Sequence, residues 1–484
     1  MLKIIQKIVL ILGFVFTSNV VFAISQEEAR HLLTRTGFGA SQEDINNYSR
    51  LNYEQAVYQL LDQVNPNPMI KPPAWLFEPL SFDRKRMKSA SEEEKKAFRR
   101  ALKMKEFELK GWWVTEMVNT ESPLTEKMVL FWHNHFTSSL KKVKQPVLLY
   151  RQNELFRKHS MGNFKALAHE ISKDPAMLGY LDNFKSSKQS PNENFARELL
   201  ELFTLGEGNY TEQDIKEAAR AFTGWSIDRK TGEFMFRKRM HDSGEKVFLG
   251  KRGKFDGNDI IEIIFEQPEV ANLLVTKLWK EFVSETPNKI EVDRLAKILR
   301  VNNYEMKSLM HELLTSSSFR DADNYARLIK SPLDYIVGTL RILDIPVKDG
   351  RAAAFASAHL GQNVFDPPNV KGWLGGVEWI TSSSLLTRQQ LLERMFRGNA
   401  VESDQQQKKF DRRLNMQKMF NEEKQKVDLR TFLESFSGKH SKQEVLNLLL
   451  ADDPVDSSIV SNSKETFSKD DLLALMSDPV YQLK

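Results

Sequence analysis

With 484 residues, 41% of them apolar and 28% charged, the chain has ample length for a packed core in one large domain or in two or three smaller ones. It has no cysteine, which excludes disulfides, a thiol nucleophile and a lipid anchor on a lipobox cysteine, so stability has to come from packing. A formal charge of only +5 over that length gives no indication of nucleic acid binding.

Lys3 and Lys7 precede the apolar run Ile8 to Phe16, and Val21-Phe22-Ala23 ends on a small residue. A basic start, a short apolar stretch and a small residue at the cut define a secretory signal, here residues 1–23 with cleavage after Ala23. A spanning helix needs about 20 apolar residues, and Thr17, Ser18 and Asn19 interrupt this run too early. No later segment is long and apolar enough to span a membrane. The expectation is therefore an exported protein of the periplasm, the cell surface or the medium, with no transmembrane segment after cleavage. Its main helical domain is expected over residues 24–400. Residues 401–484 are expected to add a charged helix or linker and a short C-terminal helical piece of the same domain.

The dominant periodicity is helical, which predicts a mainly α fold. Ser91-Glu92-Glu93-Glu94 is a capping box that opens a long helix towards Trp113. Ser122-Pro123 opens the next helix with proline at the first helical position. Tyr210-Thr211-Glu212-Gln213-Asp214 opens a third, which stops at Gly224, and further helices are expected over Pro268 to Phe282, Ile290 to Leu299, Tyr304 to Ser316 and Tyr325 to Leu343. Between Glu233 and Leu249, two apolar runs flank the turn signal Asp242-Ser243-Gly244 and predict a small β-hairpin. Asn363 to Trp379 holds Pro367-Pro368, Gly372 and Gly375-Gly376 and reads as a structured loop. Val401 to Lys426 is polar and reads as an exposed helix or a linker. Basic clusters at Arg84 to Lys88 and Lys141 to Lys144 suit either a solvated surface or contact with an acidic glycan or lipid headgroup.

Several chemistries lack their motifs. His169-Glu170 and His311-Glu312 each begin a zincin pattern, but Lys173 and Thr315 stand where the second histidine belongs. A Gly-x-Ser-x-Gly elbow and a phosphate-binding Gly-Lys-Ser/Thr loop are both missing, and Gly206-Glu207-Gly208 lacks the third glycine of a dinucleotide turn.

Two constellations remain. In Phe131-Trp132-His133-Asn134-His135-Phe136 the histidines would share a face in a strand and could then ligate one metal, whereas in a helix they point about 160 degrees apart. Leu124, Met128, Trp132 and His135 share one helical arc, which makes His135 the better buried candidate, with a core histidine bonded to a carbonyl as the alternative. In the run from Pro191 to Phe203, the polar side chains Glu193, Asn194, Arg197, Glu198 and Glu201 fill one arc and the apolar ones the other. Glu193 and Arg197 stand at ion-pair spacing, so a solvated face competes with a site.

These residues resemble a known family. Arg30 to Gly39, Phe131 to Phe136, Asp174-Pro175-Ala176-Met177, Pro191 to Leu199 and Ala219 to Trp225 are similar to the bacterial family called domain of unknown function 1800. His241-Asp242, Phe255-Asp256-Gly257, Pro367 to Trp373 and Ser477 to Gln482 continue the resemblance over nearly the whole mature chain. The resemblance implies an exported, largely helical protein with no assigned reaction. It also implies a partner from a second exported family, domain of unknown function 1501, which is sulfatase-like.

Two functions stay open. As an enzyme, the chain would gather His133 or His135, His241-Asp242 and the Glu193, Arg197 and Glu198 face around one cleft. A divalent metal on His133, His135, His241 and Asp242 is possible there, for hydrolysis of an extracytoplasmic glycan or its esters. As a binding or accessory protein, it would serve the sulfatase-like partner or a surface polysaccharide, with Trp225, Trp373 and Trp379 beside irregular loops.

Overall fold

Side-chain caps set the helix starts. In the computed structural model, which describes residues 22–78, 89–228, 230–397, 441–462 and 467–484, helix α1 (Glu92–Asn119) begins at a capping box. Ser91 N–H donates to the Glu94 carboxylate at 2.7 Å and Glu94 N–H donates back to Ser91 Oγ at 3.2 Å. Proline occupies the first turn of α2 (Pro123–His135) and α3 (Pro146–Lys158). Helix α4 (Glu193–Glu198) runs directly into a π-helical turn, Leu199–Thr204. Next come α5 (Glu212–Ala221), opened by a Thr211/Asp214 box, and α6 (Glu269–Phe282). Helices over Lys289–Val301 and Met306–Leu314 follow, close to expectation. Then come α7 (Pro332–Ile342) and α8 (Arg351–His359). Residues 1–21 of the expected signal segment 1–23, Arg84 to Lys88 and Val401 to Lys426 lie outside the described residues.

Two boundaries differ from the sequence reading for stated reasons. Helix α7 starts at Pro332, not Tyr325, because the preceding backbone is used in a long-range bridge. Leu328 N–H donates to Lys484 O at 3.3 Å, Lys330 N–H to Gln482 O at 2.8 Å, and Lys484 N–H to Leu328 O at 2.8 Å. Amides so engaged are lost to a helix. The two apolar runs near 233–249 are indeed strands, but each pairs with a nearer neighbour. Strand β1 (Trp225–Ile227) pairs antiparallel with β2 (Phe234–Phe236), and β3 (Lys246–Phe248) with β4 (Lys251–Gly253). Local hairpins close shorter loops and so cost less entropy than the pairing across Asp242.

The fold is mainly α, and α2 lies at its centre: all of its residues from Leu124 to His135 except Asn134 are buried. A helix buried all round must satisfy its polar side chains internally. Glu126 does so through a fork with Arg157 of α3, at 2.7 and 2.8 Å from one guanidinium nitrogen and 3.1 Å from Nε, while Trp113 Nε1–H of α1 donates to it at 2.8 Å. Burial pushes the Glu126 carboxyl up and the guanidinium opposes that, so the pair is held by geometry. Trp132 stacks on Phe164 at 5.5 Å, and Phe136 meets Phe203 edge-on at 5.3 Å, which docks the π turn onto the end of α2. No described helix is long and apolar enough to cross a membrane.

Candidate functional site

One cleft of about 430 Å³ is walled by α2, α6, the start of α7, the loop from Lys371 to Trp379, and Lys484. Lysine is its commonest lining side chain: Lys127, Lys277, Lys280, Lys371 and Lys484, against Glu281, Glu285 and Asp334. Leu130, Phe131, Leu328 and Trp379 supply apolar surface.

A buried charge cluster forms part of the wall. Lys127 of α2 lies 2.7 Å from Asp334 of α7 and 2.9 Å from Glu281 of α6, and Lys484 lies 2.7 Å from Asp334. Burial opposes charge on Lys127, Asp334 and Lys484. At Lys127 the two carboxylates outweigh it and raise the ammonium above its ordinary range. At Asp334 the two lysines hold the carboxyl below its ordinary range. Lys484 has one close carboxylate and Lys127 as a like neighbour, so burial wins and brings it down to about 8.

Further along the same two helices, α2 and α6, the π turn acts on the lining through its backbone. The turn ends the helix at Thr204, and the last carbonyls of a helix have no intrahelical partner and are left for side chains. His135 Nε2–H donates to Phe203 O at 3.0 Å. A carbonyl only accepts, so this bond fixes the tautomer and leaves Nδ1 as an acceptor. Lys277 Nζ donates to that Nδ1 at 3.1 Å and to Leu202 O at 2.7 Å. Burial, followed by the Lys277 charge, depresses His135 well below the ordinary histidine range, and burial brings Lys277 down to about 8.

The third wall is fixed by Asn134, the α2 residue between the two histidines. Its Oδ1 accepts from Trp373 N–H at 2.7 Å and its Nδ2 donates to Trp373 O at 3.3 Å, which clamps the loop to the helix. Gly372, at φ +79°, lies so close that a Cβ would strike the Asn134 Oδ1, and a Cβ on Gly376 would strike Glu285 Oε1. Leu374 and Val377 stay 73% and 66% exposed beside the cleft.

A family model described as "Protein of unknown function (DUF1800)" matches residues 31–482. The chain belongs to this family. The comparison with curated proteins and that with solved structures found no match. The cleft is thus framed by two of the segments that carry the family resemblance, Phe131 to Phe136 and Pro367 to Trp373, clamped to each other through Asn134 and Trp373.

In this family member the candidate residues fall in separate places. His135 lines the cleft, and His133 does not. The His133 ring is enclosed by Trp113, Phe365 and Trp373, each 5.7 Å away, and burial lowers it to about 3. Glu193 is exposed, and its expected partner Arg197 instead grips Glu212 of α5 at 2.7 and 2.8 Å. The π turn ends the regular projection after Glu198, so Glu201 leaves the arc and accepts from the Tyr210 hydroxyl at 3.3 Å. Glu198 is half-buried; burial and then Glu201 push it up, against Lys371 and Arg197. His241 bonds Thr223 O at 3.0 Å, and Asp242 pairs with Arg220 at 2.8 Å, which ties the β2–β3 connection to α5. Among the described residues no group of three or more His, Cys, Asp or Glu side chains is gathered to hold a metal, so His133, His135, His241 and Asp242 do not form one ligand set. Trp225, Trp373 and Trp379 are all buried, and the last two line the cleft.

Lys127, Asn134, Lys277, Asp334, Lys371 and Lys484 are cleft residues that the sequence reading passed over. A signal existed for Lys277 and Lys127. Lys277 shares an inward arc with Val270 and Leu274 at helical spacing, and Lys127 sits inside the apolar run of α2.

Proposed function

We propose that the chain is an exported binding or accessory protein of the cell envelope, and that its cleft takes a segment of acidic polysaccharide. The observation that supports this reading is the make-up of the cleft, where apolar surface from Phe131, Leu130 and Trp379 adjoins five lysines and three carboxylates. Sugar rings pack on apolar and aromatic faces, and an acidic polymer complements a net cationic wall. Calorimetric titration with carboxylated, sulfated and neutral oligosaccharides tests it. The acidic ones are expected to bind, to weaken as salt rises, and to weaken further in Lys371→Glu. Equal affinity for neutral and acidic oligosaccharides, or none for either, refutes it.

The alternative, an acid/base hydrolase, draws on Glu198, whose raised carboxyl next to Lys371 suits a proton donor. Shortening of a bound oligosaccharide that disappears in Glu198→Gln would favour it over simple binding. The accessory role places the sulfatase-like exported protein of the 1501 family as the partner. Mild co-extraction of the two proteins from the envelope is the expected result, and separate elution under every mild condition counts against the pairing.

A further inference from the structure

The lysines of the cleft differ in how their charge is met. Lys127 and Lys484 are matched by Asp334 and Glu281. Lys277, Lys280 and Lys371 line the same cleft, and none of them makes an ion pair among the described residues. Lys277 is aligned by two neutral acceptors, His135 Nδ1 and Leu202 O, which take two of its three N–H donors. His135 stays neutral here, because its Nδ1 accepts from the Lys277 ammonium and a proton on that nitrogen would face a like charge. Lys277 as a whole is half-buried. The indole N–H of Trp373, in the same lining, is enclosed and has no acceptor among the described residues. Glu285 is the one lining carboxylate without an ion pair among the described residues, and it lies against Gly376 in the exposed turn. The lining therefore has donors and positive charge in excess of acceptors.

A ligand group that fills this deficit brings oxygen acceptors and negative charge and no donors. We infer that Lys277, together with Lys280 and Lys371, forms an oxyanion seat for a carboxylate or sulfate ester on the ligand of the cleft. This rests on the reading of the cleft as a binding site. The π turn is then part of the seat: it supplies the Leu202 carbonyl that orients Lys277, and the Phe203 carbonyl that keeps His135 an acceptor towards it.

Amine-reactive labelling of the full chain, read at each lysine by mass spectrometry, tests the seat with sodium sulfate and sodium acetate against sodium chloride at equal ionic strength. Sulfate, acetate or both are expected to slow labelling of Lys277 several-fold, with exposed Lys216 and Lys297 unaffected, and the stronger anion names the ester or the carboxylate. Lys277→Met is expected to weaken sulfate binding about tenfold, the loss of one charged hydrogen bond, while Lys277→Arg retains most of it. If Lys277→Met does not fold, Lys280→Gln and Lys371→Gln carry the test, since each is expected to reduce protection at Lys277. Equal protection of surface lysines means an adventitious ion only and overturns the inference. Unchanged sulfate binding in folded Lys277→Met overturns it as well. Acidic polysaccharide that binds while Lys277 labelling stays the same overturns the seat and leaves the cleft reading standing. Sulfate protection without polysaccharide binding supports the seat and removes that reading.

Discussion

Asp334→Ala is expected to destabilise the protein by about 3 to 5 kcal/mol, the cost of removing one partner from a buried ion pair. Asp334 is 4% exposed at its side chain and faces Lys127 and Lys484, which are exposed 1% and 5%. Its loss leaves two enclosed ammonium groups with Glu281, which is 2.9 Å from Lys127 but 3.8 Å from Lys484. It also removes the Asp334 half of the capping box that opens α7, where Ser331 N–H donates to Oδ2 at 3.1 Å. Urea unfolding followed by tryptophan fluorescence measures the effect. Because the penalty comes from stranded charge, adding Lys127→Met to Asp334→Ala is expected to recover part of it, a positive coupling in the double-mutant cycle. A loss below about 1 kcal/mol would show that water reaches the cluster and that the wall is not the dry structure described.

The second large effect is acid unfolding driven by buried histidines. Burial, then the Arg35 charge, brings His31 down to about 2, burial brings His133 down to about 3, and burial and Lys277 bring His135 well below its ordinary value. In the unfolded chain each takes a proton near pH 6.5, while in the fold each stays neutral. The unfolded state therefore binds more protons below pH 6.5, so stability is full above that pH and falls as the pH drops towards the folded values. Asp174 acts in the opposite sense. Burial raises it to about 7, so between there and its ordinary range the folded state holds the extra proton, which offsets one histidine. For these four groups, three protons less one leaves two, which corresponds to about 3 kcal/mol lost per pH unit. At that slope about 7 kcal/mol is lost between pH 6.5 and pH 4, so with a total stability at the lower end of about 5 to 15 kcal/mol unfolding is expected between about pH 5 and pH 4. Unfolding free energies measured by urea at several pH values check this, and His133→Leu should flatten the slope. Stability that is constant down to pH 4 would mean that these rings are solvated.

The candidate site was legible in part. The segment Phe131 to Phe136 was singled out from sequence, and its two histidines point apart on α2: His135 lines the cleft and His133 is enclosed by aromatic rings. The arc of Glu193, Arg197, Glu198 and Glu201 rested on α-helical spacing. That spacing ends where the π turn begins, so Arg197 found Glu212 and the useful atoms of the segment proved to be two backbone carbonyls. Side-chain periodicity carries no information about where a helix ends in a π turn, and so about which last carbonyls are left for side chains.

By itself the sequence determined the mainly α architecture, since capping boxes such as Ser91/Glu94 and Thr211/Asp214 and prolines at first turns act within one helical turn. It also determined the family, through ordered motifs along the whole chain. Only the tertiary structure decided which charges matter. Lys127, Lys277, Asp334 and Lys484 come from segments far apart in the chain, and each is an unremarkable lysine or aspartate until packing removes water and leaves a few fixed partners. The strength and sign of an electrostatic site depend on distance and burial, and these exist only once the chain has folded.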